Sequence, residues 1–168
     1  MHAITLSPEA AQPRVAALLA CGRNLMALSW HMPVSKSPFR YAVAVRAENH
    51  TYKLLRERGS FTLNFMPFDH YRAIDRMGRL HGDTEDKLAA SELASRGTDA
   101  EGNLLLDGAD FIYECRVFDT ASWGDHTLFI CDVKHVRVHE RPSGRLALFT
   151  GKGRYSAVGE TRQVPLEH

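Results

Sequence analysis

The sequence predicts a mainly β fold with helices inserted between some strands, rolled into a barrel rather than laid out as a doubly wound sheet. Three observations point there. Short runs of alternating apolar and polar residues recur along most of the chain, as half-buried strands require. The clearest of them, Thr127 to Glu140, interleaves its apolar residues from Val133 onward with Lys134, His135, Arg137 and His139, the mark of a strand with one wet face. Strand, helix and strand follow one another once, over residues 40–66, which is not the regular alternation of a parallel sheet.

Taken in order, Arg14–Cys21 and Asn24–Trp30 read as two paired strands. Ala and Leu in the first also favour helix, but Gly22-Arg23 offers a two-residue hairpin turn with glycine first. His31–Pro38, with Pro33, Ser35, Ser37 and Pro38, reads as a loop. Arg40–Arg46 is a strand with Tyr41, Val43 and Val45 on one face. Tyr52–Arg58 is a short helix: Asn49 is a cap candidate, basic residues fill the last turn, and Gly59 stands just past the end. Ser60–Met66 is a strand ended by Pro67. Tyr71–Met77 is a helix before Gly78, and Thr84–Ala94 is a second helical stretch capped by Asp83 or Thr84. Asn103–Leu106, Phe111–Asp119 and Thr127–Glu140 complete the strands.

The chain has 168 residues, is 44% hydrophobic and 24% charged, and carries a formal net charge of +1. That composition is globular and excludes a disordered chain. The balanced charge supplies no global field for nucleic acid, and no apolar run reaches the roughly 18 residues that span a bilayer. With no repeat, low-complexity segment or linker, residues 1–165 read as a single domain, and Leu166-Glu167-His168 as the start of an expression tag. The N-terminus lacks a signal-peptide pattern. Cys21, Cys115 and Cys131 show no C-x-x-C spacing, so they read as reduced, buried thiols of a cytoplasmic protein.

Familiar catalytic signatures are missing: no G-x-G-x-x-G, no P-loop, no G-x-S-x-G. His135 and His139 are four apart, but on a strand rather than a helix, so no metal site is expected. Three groupings remain. Asn24-Leu-Met-Ala-Leu-Ser-Trp-His31, followed by Pro33-Val-Ser35-Lys36, puts an aromatic ring, hydroxyls and a cation at a strand end. Arg46-Ala-Glu-Asn-His-Thr51 lies at a helix start, where backbone N–H groups and these side chains suit a phosphate, although most helix N-termini bind only their cap and water. Trp123-Gly-Asp-His126 is a turn before a long strand, where a solvated His is the ordinary expectation.

In this order the groupings resemble the flavin reductase-like family, and its flavoredoxin-like branch most closely. The matching pieces are Asn24-Leu-Met26, Ser29-Trp30, Pro33-Val-Ser35 with Pro38, His50-Thr51 before a helix, Gly59-Ser-Phe-Thr-Leu-Asn64, Gly82-Asp83 to Asp86-Lys87, Glu114-Cys115 and Gly124-Asp125-His126. Each is loose; their order over residues 14–158 is far more specific. The resemblance implies an FMN-binding split β-barrel, Greek-key and antiparallel, working as a homodimer with the flavin near the subunit interface.

It also implies site roles. Met26, Ala27, Ser29, Trp30 and His31 would line the flavin ring, with Ser35 and Lys36 in the following segment. Arg46, Asn49, His50 and Thr51 would form the phosphate end. Asn64, Phe65 and Met66 would close the next strand beside the ring, and His126 would lie over the site as the catalytic candidate. Two positions depart from the family pattern: Ala27 stands where Thr is common, and His81 where Ser is common.

The implied activity is electron transfer from NADH or NADPH through FMN to free flavin, or to a partner such as a monooxygenase. Hydride transfer between stacked rings needs no protein acid or base, which accounts for the missing triads. Two alternatives stand beside it: an FMN electron carrier or flavin-binding module without nicotinamide activity, and a β-barrel interaction domain without cofactor.

Overall fold

The computed structural model describes residues 12–80, 82 and 86–160. In chain order its strands are Arg14–Val15 (β1), Ala17–Cys21 (β2), Asn24–Leu28 (β3), His31–Ser35 (β4) and Arg40–Arg46 (β5), followed by helix His50–Arg58 (α1) and strand Ser60–Phe65 (β6). A short 3-10 turn, Phe68–His70, leads into helices Tyr71–Arg79 (α2) and Lys87–Ser91 (α3). Strands Ser95–Thr98 (β7), Leu104–Leu106 (β8), Phe111–Trp123 (β9), His126–Val138 (β10), Leu148–Gly151 (β11) and Arg154–Ser156 (β12) follow.

Seven strands form one antiparallel sheet in the order β3-β2-β6-β9-β10-β5-β4. Its two edge strands, β3 and β4, are consecutive in the chain and joined only by Ser29 and Trp30. Two residues span well under 10 Å, so the sheet must curl until its edges nearly meet. That is a barrel with a seam, and Ser29-Trp30 crosses the seam. The β2–β3 hairpin turns through Gly22, whose φ of 59° suits glycine, and Cys21 pairs with Asn24 as the expected two-residue turn requires.

Inside the barrel, Leu19, Val43, Leu63, Phe61 and Phe129 are fully buried with Cys21, Cys115 and Cys131. The outer face of β2 contributes Leu18 and Ala20 to a second apolar cluster with Met66, Ile74 and Met77, and with Leu104, Leu105 and Leu106. Every residue of β2 is therefore buried; with apolar contacts on both faces, its near-continuous Ala/Leu composition lacks the alternation of an ordinary barrel strand.

Several expected boundaries change. Residues 31–35 are strand rather than loop: β4 is a sheet edge, where Pro33 sacrifices no ladder hydrogen bond, and a register shift between Pro33 and Ser35 accommodates it. β3 stops at Leu28. The helical stretch expected over residues 84–94 is helix only at Lys87–Ser91, and Asp86 caps it by accepting from the Ala89 N–H at 3.2 Å; the cap candidates Asp83 and Thr84 lie outside the described residues, as do 166–168. β9 continues past Asp119 to Trp123, because its polar end pairs with β10. A bulge between Val133 and His135 absorbs the polar pair Lys134-His135, where simple alternation fails. Strands β7, β11 and β12 were not expected; they are short, and β7 is half to fully exposed.

Candidate functional site at the barrel seam

At the seam, Trp30 leaves β3 and stacks on His126, with ring centroids 4.5 Å apart and planes 21° from parallel. The Arg14 guanidinium carbon lies 5.6 Å from the same indole. His126 starts β10 directly opposite Arg46 of β5, and the Trp30 carbonyl accepts from the Ala44 N–H at 2.9 Å. Asp125 bridges the group: one carboxylate oxygen is 2.6 Å from His126 Nδ1, and the other is 3.0 Å from the Arg46 guanidinium. The hydrogen bond from His126, helped by Arg46, holds the Asp125 carboxyl below the usual carboxylate range.

These groups surround a cavity of about 180 Å³ lined by Met26, Ala27, Leu28, Ser29, Trp30, Ala44, Arg46, Asn49 and His126. Seven expected site residues are thus brought to one place. The end of β3 is also the wall of a wider groove of about 320 Å³, where Ala27, Leu28 and Ser29 face Ile74, Asp75, Gly78 and Arg79 of α2, and Phe149, Gly153 and Tyr155. Arg79 is held by Asp75 at 2.8 Å within that groove.

The start of α1 makes a second polar centre. Asn49 has extended backbone, but its side chain accepts no capping hydrogen bond; its amide nitrogen donates instead to the Met26 sulfur at 3.7 Å. Thr51 is buried, and its hydroxyl oxygen accepts from Asn24 Nδ2 at 2.8 Å, leaving the hydroxyl proton free to donate. Gly82 lies against this pair: a Cβ there would fall 1.9 Å from Asn24 Oδ1 and 3.4 Å from His50 Cδ2, so any side chain at this position would have to displace Asn24.

Among the described residues, Asn24 Oδ1 is buried without a hydrogen-bond partner. An orphaned acceptor beside a donor hydroxyl and an uncapped helix start fits a polyol phosphate: a ribityl hydroxyl would satisfy the former, and a phosphate would accept from Thr51 and the first-turn N–H groups. The residues present therefore suit FMN: Asn24, His50 and Thr51 would hold its phosphate end and Met26 to Trp30 would lie along its ring.

Other expected site residues lie elsewhere. His31 is packed among Tyr41 and Phe65, with its ring nitrogens 2.8 Å from the Tyr41 hydroxyl and 2.9 Å from the Val15 carbonyl. Ser35 and Lys36 line a separate shallow hollow with Pro33, Val34 and Phe39. Asn64 is fully buried, donates to Leu18 and Thr62, and accepts from the Leu106 N–H. Phe65 belongs to the interior cluster and Met66 to the outer one. His81 is outside the described residues.

Two residues beside the seam cavity were not singled out from the sequence as site residues: Asn24 and Asp125. Lys87 is buried, with its ammonium donating to the Met77 carbonyl at 3.3 Å. Burial pushes the Cys21 thiol up to about 11 and the Cys131 thiol up to about 12, which disfavours the thiolate a nucleophile needs.

The family model for a flavin reductase-like domain matches residues 11–159. The chain belongs to the flavin reductase-like family. Among solved structures of this fold, an FMN-binding protein from Thermus thermophilus is 26% identical, with 98% of each chain covered and a TM-score of 0.85. The flavoredoxin of Desulfovibrio vulgaris is also 26% identical, covering 98% of this chain and 94% of that one, with a TM-score of 0.83. An uncharacterized protein from Archaeoglobus fulgidus is 28% identical over 113 residues; this flavin reductase-like chain matches 64% of its length, with 67% of its own. Among the described residues no helix is long and apolar enough to cross a membrane.

Proposed function

We propose that this flavin reductase-like chain binds FMN at the seam and passes electrons from NADH or NADPH through it to free flavin or a partner protein such as a monooxygenase. One observation carries the reading: seven residues expected at a flavin site converge on one cavity around the Trp30–His126 stack. Bound FMN would supply hydride acceptance and electron release. The chain's own part is placement. Met26 and Ala27 give the ring an apolar bed beside Ser29, and Trp30 gives it a wall. Asn24, His50 and Thr51 hold the ribityl phosphate, and His126 presents an imidazole to the ring's neighbourhood. Arg46 lines the same cavity but is tied to Asp125.

A visible spectrum of the purified protein tests this. Added FMN binds, and the bound flavin bleaches anaerobically with NADH or NADPH; a chain that takes up no FMN overturns the reading. His50→Ala with Thr51→Ala should weaken FMN while leaving riboflavin affinity nearly unchanged, because only FMN carries the phosphate. Equal loss for both ligands would mean the phosphate end is misassigned.

A second reading keeps the FMN and drops the nicotinamide step. It is favoured by His126, which already covers an indole face in the cavity and would be displaced by a donor ring stacking there. In that case a reductase partner bleaches the flavin and neither nicotinamide does. The protein would work as a homodimer, a state favoured by the exposed Phe118 and Trp123 of β9. The free, buried cysteines suit a cytoplasmic setting.

A further inference from the structure

The geometry points to Asp125 as a positioning residue: its carboxylate fixes the tautomer and ring plane of His126, so that Nε2, not Nδ1, carries the lone pair offered to the cavity. This rests on the proposed flavin reading for its functional consequence, but not for its structural one.

The argument is chemical. A carboxylate only accepts hydrogen bonds, so at 2.6 Å from Asp125 the proton must sit on His126 Nδ1. In the neutral imidazole that leaves Nε2 bare, as an acceptor. The second carboxylate oxygen is occupied by Arg46 at 3.0 Å, which stops the carboxylate from rotating away. Arg46 and His126 are direct cross-strand partners, so Asp125 closes a triangle over the end of the β5–β10 ladder. The turn that places it runs through Gly124, at φ 63°, between the paired residues Trp123 and His126.

Stability does not explain this arrangement. Asp125 and Arg46 are 63% and 53% exposed, and exposed ion pairs contribute little. His126, in contrast, is only 18% exposed and lies flat on Trp30. The pair therefore spends its directionality on orienting a half-buried ring. A bare Nε2 beside the flavin bed accepts a hydrogen bond from an N–H, whether of reduced flavin or of a carboxamide on the donor. The opposite tautomer would repel both.

The test starts on the chain without flavin. Long-range proton–nitrogen correlation spectra of ¹⁵N-labelled protein at alkaline pH, with His126 assigned by its loss in His126→Ala, should show the proton on Nδ1. In Asp125→Ala it moves to Nε2, the form a histidine side chain prefers in water. Asp125→Asn keeps an acceptor oxygen and should retain much of the Nδ1 form.

With FMN bound, Asp125→Ala should slow flavin reduction about tenfold, a size typical of a group that orients a functional histidine, while FMN affinity stays within about threefold. Adding Asp125→Ala to His126→Ala should change nothing further. An unchanged tautomer in Asp125→Ala overturns the inference, and so does an undiminished rate effect in the His126→Ala background. Failure of wild-type protein to bind FMN sinks the functional reading alone, because the tautomer measurement needs no flavin.

Discussion

His31 and His126 bring the same side chain into opposite settings. His126 is oriented by a charged turn at the edge of a cavity. His31 is enclosed in the barrel end, where burial holds its pKa below the ordinary value despite the hydrogen bond to the Val15 carbonyl. Since that carbonyl only accepts, Nε2 donates to it and Nδ1 accepts from Tyr41, which is the neutral ring. The unfolded chain then binds a proton that the folded chain refuses, over the window from about pH 6.5 down to the lowered folded value. Stability is complete above that window and falls as pH drops through it. Urea midpoints at pH 7.5 and pH 5.5 should differ in wild type, and His31→Gln should narrow the difference. At this scale the sequence was only partly legible. The family resemblance carries His31, Asn64, Phe65 and Met66 to the site, yet none of them lines the seam cavity; side-chain direction, which decides whether a residue faces the seam or the interior, is not written in the spacing.

Among the elements, α1 shows best how composition dictates a boundary. Its C-terminal cap Gly59 has φ 64° and returns its N–H to the Leu55 carbonyl at 3.0 Å. A Cβ there would meet nothing within 4 Å, so the objection to alanine is backbone conformation alone. Gly59→Ala should cost about 1 kcal/mol and lower Tm by about 3 °C, measured by thermal unfolding; an unchanged Tm would mean the helix end relaxes. Leu55, whose side chain is buried in the barrel core, answers to a different term: Leu55→Ala should cost about 2–5 kcal/mol through the cavity it leaves. Helix α1 was readable because its cap signals are local. Strand β4 was not: Pro33 signals a loop unless one knows that the strand is an edge, and edges are a property of the assembled sheet. The polar end of β9 was lost for the same reason, since its pairing partner lies beyond the next turn.

For the whole molecule, the barrel class was legible because alternating runs recur where regular strand–helix alternation does not. The order of strands was not, because it depends on pairings across many tens of residues. The assembly prediction belongs here too. Light scattering during size exclusion should give about twice the 18.9 kDa chain mass, and substitution of Trp123 and Phe118 by serine should lower it if β9 lies in the interface.

The Ser29-Trp30 link carries a last consequence, for how the molecule folds. Hairpins β2–β3 and β4–β5 are local and sit at opposite edges of the sheet, yet they are tethered to each other from the start. Closing the ring then awaits β10, whose Asp132 meets Arg40 across 92 residues of chain. Loop-closure entropy falls on that pairing. Refolding should therefore be limited by the docking of β10 on β5, so that substitutions of core residues in β10, such as Phe129, slow folding more than equally destabilising ones in the β2–β3 hairpin. The covalent seam is assembled first, and the β5–β10 ladder last.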